Sequence, residues 1–186
     1  MKNINDYIVV FNDVITDVLC DSIIQEFNNE NEWEQTVVGS GRVENSIRSA
    51  DTIIISYPHV IEKNQNNREK LDKDVFASAA LAIQKYNDRF PLCKIEEDSG
   101  YELLRYKEGQ FYVQHTDSFK GRPRAVSCSF ILNDDYEGGE FAFFNRELKY
   151  KLKKGSCIMF PSNFMYPHEI MPVTSGTRYS IITWFV

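Results

Sequence analysis

Two histidines and one aspartate in the second half of the chain have the types and spacing to bind a metal ion. His115 and Asp117 are separated by one residue, so in an extended strand their side chains project from the same face. An imidazole and a carboxylate could then reach one ion from a single strand, and His168 is the natural third ligand from another. Two histidines and a carboxylate leave coordination positions open and suit non-haem Fe(II), although catalytic zinc can use the same ligands.

Arg178 also suggests ligand chemistry. It begins the apolar segment 178–186, so we expect its guanidinium to be at least partly buried and to need an anionic partner. The planar guanidinium matches a carboxylate through two parallel hydrogen bonds. The partner is either an internal carboxylate, such as Glu140 or Asp117, or the carboxylate of a bound ligand.

Helical periodicity in the first half of the chain predicts two helices. Thr16 or Asp17 can cap the first, whose apolar residues share one face. The second is predicted over 66–90, where Pro91 stops it. Its expected buried stripe is Leu71, Val75, Phe76, Ala79, Ala80, Ile83 and Tyr86.

Short runs of β-branched, aromatic and alternating apolar residues predict strands, most of them after Gly100. The predicted strands are 7–11, 52–55, 101–106, 111–115, 125–132, 140–144, 149–152, 156–160, 168–171 and 178–185. The polar, glycine-bearing segment 39–51 predicts a loop. Strands at this spacing are typical of a two-sheet sandwich or jelly roll, and the two helices would pack outside one sheet.

Composition limits the classes of protein to which the chain can belong. Its 186 residues are 42% hydrophobic and 26% charged, with a net charge of -6, so nucleic acid is not an expected partner. The four cysteines form no CxxC pair, which favours free thiols, and no apolar run is long enough to span a membrane. We expect a cytoplasmic monomer without a membrane anchor.

Six short motifs follow one another in the second half of the chain. They are YKEGQFYVQHTD (106–117), CSFILN (128–133), GGEF (138–141), KGSCIMF (154–160), PHEIMPV (167–173) and GTRY (176–179). In this order they resemble the signature of the prolyl 4-hydroxylase-like family of Fe(II)- and 2-oxoglutarate-dependent dioxygenases. Arginine in the last motif, instead of lysine, is similar to the hypoxia-factor prolyl hydroxylases and to bacterial and viral relatives. In the first half, SIRS (46–49) weakly resembles an RxS stretch near the substrate cleft of these enzymes.

The resemblance implies a fold and a domain organisation. The fold is mainly β with flanking helices: a double-stranded β-helix, or jelly-roll variant, with the N-terminal helices packed on one sheet. We expect a single dioxygenase domain over 1–186. Residues 1–100 would supply helical support and a substrate-side loop, and 101–186 the catalytic β core.

The resemblance also implies a reaction. Fe(II) would be bound by His115, Asp117 and His168, and 2-oxoglutarate would pair its distal carboxylate with Arg178. With O₂, the enzyme would hydroxylate a C–H bond and release succinate and CO₂, with ascorbate as the expected reductant. The expected substrate is peptidyl proline in a proline-containing peptide or protein.

Hydroxyl groups are expected to complete the co-substrate site. The candidates are Tyr106, Tyr112 and Thr183. Trp184 lies an even number of residues after Arg178 on the last strand, so it could line the same pocket. One position departs from the family pattern. The hypoxia-factor enzymes carry a tyrosine that helps to hold the co-substrate where this chain has Ile131. Another hydroxyl must serve, or the contact is absent.

Three other functions compete with peptidyl-proline hydroxylation. The protein could hydroxylate a free amino acid or small metabolite, or it could be a non-catalytic binding module on the same fold. A zinc hydrolase with the same three ligands is the third alternative, but it leaves Arg178 without a reason.

Overall fold

The structure, a computed structural model, describes residues 3–28, 32–39, 41–56, 65–121 and 123–186. These ranges contain two α-helices, a short 3₁₀ helix at Ile4–Tyr7 and fourteen short strands. No helix within them combines the length and apolar character needed to cross a membrane. His59 lies outside the described residues.

The two predicted helices are confirmed as α1 (Asp17–Phe27) and α2 (Gln65–Arg89). Of the two predicted caps, Thr16 precedes α1, and its hydroxyl accepts a hydrogen bond from Leu19 N at 3.2 Å. This bond satisfies one of the backbone N–H groups that the first helical turn leaves without a partner.

Fourteen strands follow the order of the chain, and all their pairings are antiparallel. They are β1 (Val9–Phe11), β2 (Glu34–Gln35), β3 (Arg48–Ser49), β4 (Asp51–Ile54), β5 (Glu102–Lys107), β6 (Phe111–His115), β7 (Val126–Ile131), β8 (Glu137–Gly138), β9 (Phe141–Phe143), β10 (Leu148–Tyr150), β11 (Cys157–Pro161), β12 (His168–Ile170), β13 (Val173–Ser175) and β14 (Thr177–Phe185).

The strands form a seven-stranded major sheet in the order β1-β11-β7-β14-β5-β4-β2 and a five-stranded minor sheet in the order β10-β9-β12-β6-β3. A two-stranded ribbon, β13-β8, completes the described sheets. The nine-residue β14 lies at the centre of the major sheet, between β7 and β5.

Two hydrophobic cores lie on the two faces of the major sheet. The outer core joins α1 and α2 to the odd-numbered residues of β14, such as Ile181 and Phe185. The inner core lies between the sheets and brings Ile131 and Phe160 of the major sheet against Phe143 of the minor sheet. Two facing antiparallel sheets with helices on one outer face confirm the double-stranded β-helix predicted from the sequence.

The structure corrects two details of the predicted elements. Phe76, placed in the buried stripe of α2, is 55% exposed, and Ala80 is also exposed, because the stripe runs through Leu71, Val75 and Ala79 instead. Segment 39–51 is not only a loop, since it contains β3, which pairs with β6.

Phe130 on β7 tests how much the outer core contributes to stability. Its side chain is fully buried in the outer core, so Phe130→Ala should lower the free energy of unfolding by about 3–5 kcal/mol through lost burial and a residual cavity. Urea unfolding followed by circular dichroism measures the change. Leu92→Ala, at a position 93% exposed, is the control and should change stability by less than about 0.5 kcal/mol. Equal effects of the two substitutions would contradict this account of the core.

Candidate active site

The register of the minor sheet brings the two predicted histidine ligands together. His168, the first residue of β12, lies directly opposite His115, the last residue of β6. Asp117 follows β6, with Oδ1 at 3.3 Å from His115 Nε2 and Oδ2 at 3.6 Å from His168 Nε2. One ligand atom from each residue lies within 4.8 Å of the others, a spacing that suits binding to one ion.

Hydrogen bonds to the backbone determine which nitrogen each histidine turns toward this cluster. His115 Nδ1 lies 2.9 Å from the carbonyl oxygen of Val113, and His168 Nδ1 lies 3.1 Å from that of Tyr166. A carbonyl only accepts, so Nδ1 carries the proton in both rings. Each neutral Nε2 is then left with a lone pair, which is the form that binds a metal.

Burial keeps His168 neutral at physiological pH. The ring is 3% exposed and packs among Phe143 and Phe160, with ring centroids 5.6 and 4.6 Å away. Loss of solvation, together with the nearby His115, lowers the pKa of His168 to about 4 despite the opposing effect of Asp117.

Asp117 is held as a carboxylate by its neighbours. Burial alone would raise the pKa of Asp117, but the two imidazoles and the hydroxyl of Ser127 outweigh this and hold it below its usual range. Ser127 Oγ donates to Asp117 Oδ2 at 2.6 Å and also contacts Ser162 Oγ at 2.8 Å. Arg124 Nη1 donates to the Asp117 carbonyl at 3.1 Å, so both ends of the residue are fixed.

The hairpin turn between β9 and β10 anchors both histidine strands from outside. Asn145 N donates to Gln114 Oε1 at 3.0 Å, one residue before His115. Arg146 forms two hydrogen bonds with Glu169, the residue after His168, at 2.7 and 3.1 Å. The turn therefore ties the residues that adjoin both predicted ligands to one segment.

A cavity of about 590 Å³ opens between the two sheets beside the three predicted ligands. Its lining includes six of the seven residues predicted as site residues from the sequence: Tyr106, Tyr112, His115, Asp117, His168 and Arg178. A volume of this size is in the range of small-molecule sites.

Arg178 is a buried cation whose donors remain available to a ligand. Its side chain is 1% exposed, and Nη1 donates to Ser180 Oγ at 2.9 Å. Nε and Nη2 have no hydrogen-bond partner among the described residues. Neither Glu140 nor Asp117 forms the internal ion pair considered above, since none of the salt bridges among the described residues includes Arg178.

The motifs CSFILN (128–133) and GGEF (138–141) both help to position Arg178. Asn133 Oδ1 accepts from Tyr179 N and Asn133 Nδ2 donates to Thr177 O, both at 2.7 Å, so the backbone on each side of Arg178 is fixed. A Cβ atom on Gly139 would lie 3.0 Å from Arg178 Cδ, so a side chain there would press on the arginine. Gly139 also has a φ of +64°, a conformation that glycine adopts readily.

The two predicted tyrosines both reach the cavity. Tyr106 pairs with Arg178 across β5 and β14, and its ring centroid lies 5.4 Å from the guanidinium carbon. Tyr112 is three residues before His115 and in an ideal strand would face the other way. A register shift between β6 and β12 acts as a bulge and turns it inward, where it stacks on His115 at 3.5 Å between ring centroids.

The structure does not bring Thr183 to the cavity. It lies an odd number of residues from Arg178 along β14, so its side chain points away from the inner face and it does not line the cavity. Trp184, which has the parity of Arg178, does line the cavity and stacks under Arg124 at 3.4 Å.

Sequence reasoning did not predict the residues around the ligands. Ser127 and Ser129 alternate on the inner face of β7, and both are buried serines in an otherwise apolar strand, which is the signal that could have found them. Arg48, known only as part of the weak SIRS resemblance, also lines the cavity and lies 4.8 Å from the Tyr112 ring centroid.

Comparison with known proteins agrees with this geometry. The sequence profile of the 2OG-Fe(II) oxygenase superfamily matches residues 101–186. A PKHD-type hydroxylase of Idiomarina loihiensis is 33% identical over 88 residues, which are 44% of this chain and 39% of that protein. A protein of Acanthamoeba polyphaga mimivirus, provisionally named a prolyl 4-hydroxylase, is 25% identical over 95% of this chain and 72% of its own length. The match therefore spans about two fifths of the length of the PKHD-type relative.

Among solved structures, a prolyl hydroxylase of Trichoplax adhaerens in complex with a hypoxia-inducible-factor peptide fragment has the same fold. The TM-score is 0.79 at 17% sequence identity, and the similarity covers 96% of this chain and 83% of that one. The fold, the profile match over the β half and the grouped histidines and aspartate agree with one another. Residues 101–186 are similar to the 2OG-Fe(II) oxygenase superfamily, and the chain has the fold of the prolyl hydroxylases.

Proposed function

We propose that this protein is an Fe(II)- and 2-oxoglutarate-dependent dioxygenase that hydroxylates a C–H bond, with peptidyl proline as its substrate. The observation that carries the proposal is the buried Arg178, which presents donors without partners to the same cavity as the His115, Asp117 and His168 cluster. A zinc hydrolase would need the cluster but would give the cavity no anion to pair with this cation.

The residues present fit the two groups that the family implies. Two neutral imidazoles and a carboxylate would hold Fe(II) and leave positions for a co-substrate and O₂. The fork of Arg178 would take the distal carboxylate of 2-oxoglutarate in two hydrogen bonds. When bound, iron, 2-oxoglutarate and O₂ supply the oxidising power for hydroxylation, with succinate and CO₂ as co-products.

Tyr106 is the proposed second contact to that carboxylate. Burial lowers the pKa of Arg48, but the nearby phenols of Tyr106 and Tyr112 raise it, so the Tyr106 hydroxyl lies close to a guanidinium that can only donate. Because a guanidinium does not accept, the phenol hydrogen of Tyr106 would remain for donation to the co-substrate. Because Tyr106 is 1% exposed, this hydrogen bond would form away from competing water.

Tyr112 is proposed to shape the wall beside the iron. Its ring stacks on His115, with centroids 3.5 Å apart, and the Arg48 guanidinium lies 4.8 Å from the ring centroid. Burial raises the pKa of Tyr112 to about 12, so the phenol stays neutral over the working range of pH. An uncharged, packed ring restrains His115 without adding a second anion next to Asp117.

The substrate class rests on both the cavity and the relatives. The cavity lining also includes segment 34–39, Phe119 and Arg124, none of which is a proposed metal or co-substrate ligand. The fold neighbour from Trichoplax adhaerens holds a peptide, and the mimivirus relative is named for prolyl hydroxylation. We propose that a proline-containing peptide binds in the cavity of this chain beside segment 34–39, Phe119 and Arg124.

We further propose a reducing compartment, such as the cytoplasm, as the site of action. Cys20, Cys93, Cys128 and Cys157 are all free thiols. Disulfides are rare where thiols are kept reduced, and the same conditions keep iron in the divalent state that the proposed reaction needs. Ascorbate is the proposed reductant, and the protein is proposed to act as a monomer.

The metal site can be tested by His115→Ala. Removing one of three ligands should weaken Fe(II) or Mn(II) binding by more than about 100-fold, since even changes behind the ligands of a metal site cost about 10- to 100-fold. Isothermal titration under anaerobic conditions measures the affinity, and succinate release measures activity. Val113→Ala is the matched control, because it leaves intact the backbone carbonyl that accepts from His115. Retention of tight metal binding in His115→Ala would rule out the assignment.

The co-substrate site can be tested by Arg178→Ala. Loss of two charge-assisted hydrogen bonds should raise the Kd of 2-oxoglutarate at least about tenfold. Metal binding should stay close to that of the unchanged protein. Arg178→Lys keeps the charge but loses the fork, so an intermediate Kd is expected. An unchanged Kd in Arg178→Ala would show that Arg178 does not bind 2-oxoglutarate.

The substrate can be tested by a screen that compares peptides with free amino acids. With Fe(II), ascorbate and 2-oxoglutarate, proline-containing peptides should stimulate succinate release and gain the mass of one oxygen atom, which mass spectrometry detects. Matched peptides with alanine in place of proline are the control. Stimulation by free amino acids alone would favour the small-metabolite alternative, and metal binding without any turnover would favour a binding module.

A further inference from the structure

The resemblance described above implies a tyrosine that helps to hold the co-substrate at position 131, where this chain has Ile131. Ile131 is fully buried in the inner core and does not line the cavity. An aliphatic side chain donates no hydrogen bond, so the carboxylate at Arg178 must find its remaining donor elsewhere.

Ser129 offers such a donor from the same strand. It lies two residues before Ile131 on β7, so its side chain leaves the same face of the major sheet. The residue is 3% exposed and lines the cavity, yet Oγ has no hydrogen-bond partner among the described residues. A buried hydroxyl without a partner is costly unless a bound molecule completes it.

Strand register places Ser129 between Arg178 and the proposed metal site. On the neighbouring β14, Ser180 lies opposite Ile131, and Ile182 lies opposite Ser129. The Arg178 guanidinium extends along β14 toward Ser180, to which it donates. At the other end, Ser127 donates to Asp117. A carboxylate on the metal side of the guanidinium would therefore lie over Ser129.

We propose that Ser129 donates a hydrogen bond to the carboxylate of 2-oxoglutarate that pairs with Arg178, and so takes the place of the tyrosine absent at position 131. This inference rests on the proposed function. The hydroxyl has moved by two residues along one face of β7, and a short side chain suffices because the strand itself lies close to the ligand.

Of the three neighbouring hydroxyls, those of Ser127 and Ser180 have other partners and that of Thr183 faces away from the cavity. Ser127 Oγ is shared between Asp117 and Ser162, and Ser180 Oγ accepts from Arg178. Thr183 Oγ1 is also buried without a partner among the described residues, but it lies on the face of β14 that turns away from the cavity. Thr183 is therefore a matched control for Ser129: the burial and the lack of a partner are the same, and only the face differs.

The experiment measures 2-oxoglutarate binding to the Mn(II)-loaded full chain by isothermal titration, so that no turnover is needed. Ser129→Ala should raise the Kd about tenfold, as expected for one hydrogen bond to a charged group. The melting temperature without ligands should stay the same or rise, because the substitution removes a buried hydroxyl that has no partner in the described protein. Thr183→Val should leave the Kd unchanged.

A double-mutant cycle with Arg178→Lys tests whether both residues bind the same carboxylate. The two substitutions should then be coupled, so that Ser129→Ala weakens binding less in the Arg178→Lys background than in the unchanged chain. Additive effects would show that Ser129 contacts another part of the ligand and would overturn the proposal, as would an unchanged Kd in Ser129→Ala. Absence of 2-oxoglutarate binding by the unchanged Mn(II)-loaded chain would instead contradict the proposed function itself.

Discussion

The alternation of side chains along β14 is the constraint on which both cores and the cavity depend. Even-numbered residues, beginning with Arg178, face the minor sheet and line the cavity, whereas odd-numbered residues such as Ile181 and Phe185 pack under the helices. Because the side-chain period of a strand is two, a slip of one residue would exchange the two faces. The slip would carry the guanidinium into the helix-facing core and Ile181 into the cavity. Both changes would raise the free energy of the folded state, so they disfavour the slipped register and keep Arg178 at the cavity.

The predicted metal ligands depend on a second register, that of the minor sheet. His115 and His168 are brought together only because β6 and β12 pair end to start, and the bulge between these strands turns Tyr112 to support the first ring. The hydrogen bonds of both Nδ1 atoms then leave Nε2 free to bind. Backbone groups and packing orient the two histidines, and Ser127 and Arg124 hold Asp117, so the protein itself arranges the three side chains, which reduces the entropy lost on binding an ion.

The sequence predicted the long elements and the residues that carry charge, but not the side on which each hydroxyl lies. The periodicity of α2 and the alternation of β14 were strong enough to place both elements, and the HxD spacing together with Arg178 led to the residues that the structure groups at one cavity. Thr183 was chosen for its hydroxyl, although parity already set it apart from Arg178. Ser129 does alternate with Ser127 in an otherwise apolar strand, but this pattern alone does not show which face of β7 meets the cavity.

The shortest strands could not be predicted for a different reason. β2, β3 and β8 each contain two residues, too few to show any alternation, and they exist because a partner distant in sequence supplies their hydrogen bonds. This affects the candidate site, because Arg48 lies in β3 and lines the cavity. Its place at the cavity follows from pairing with β6, so a local reading of segment 39–51 could only predict a loop.

Charge balance between the proposed metal, Arg178 and Asp117 bears on the choice of co-substrate. Divalent iron and the Arg178 guanidinium would together bring three positive charges to a buried site, and Asp117 would offset one of them. The two carboxylates of 2-oxoglutarate would offset the other two, one at each end of the molecule. In a site of low dielectric constant, neutrality of this kind makes each group bind more tightly when the others are present. A neutral or singly charged ligand in the same place would leave the buried guanidinium or the metal site uncompensated, and this favours a dicarboxylate over a simple acid.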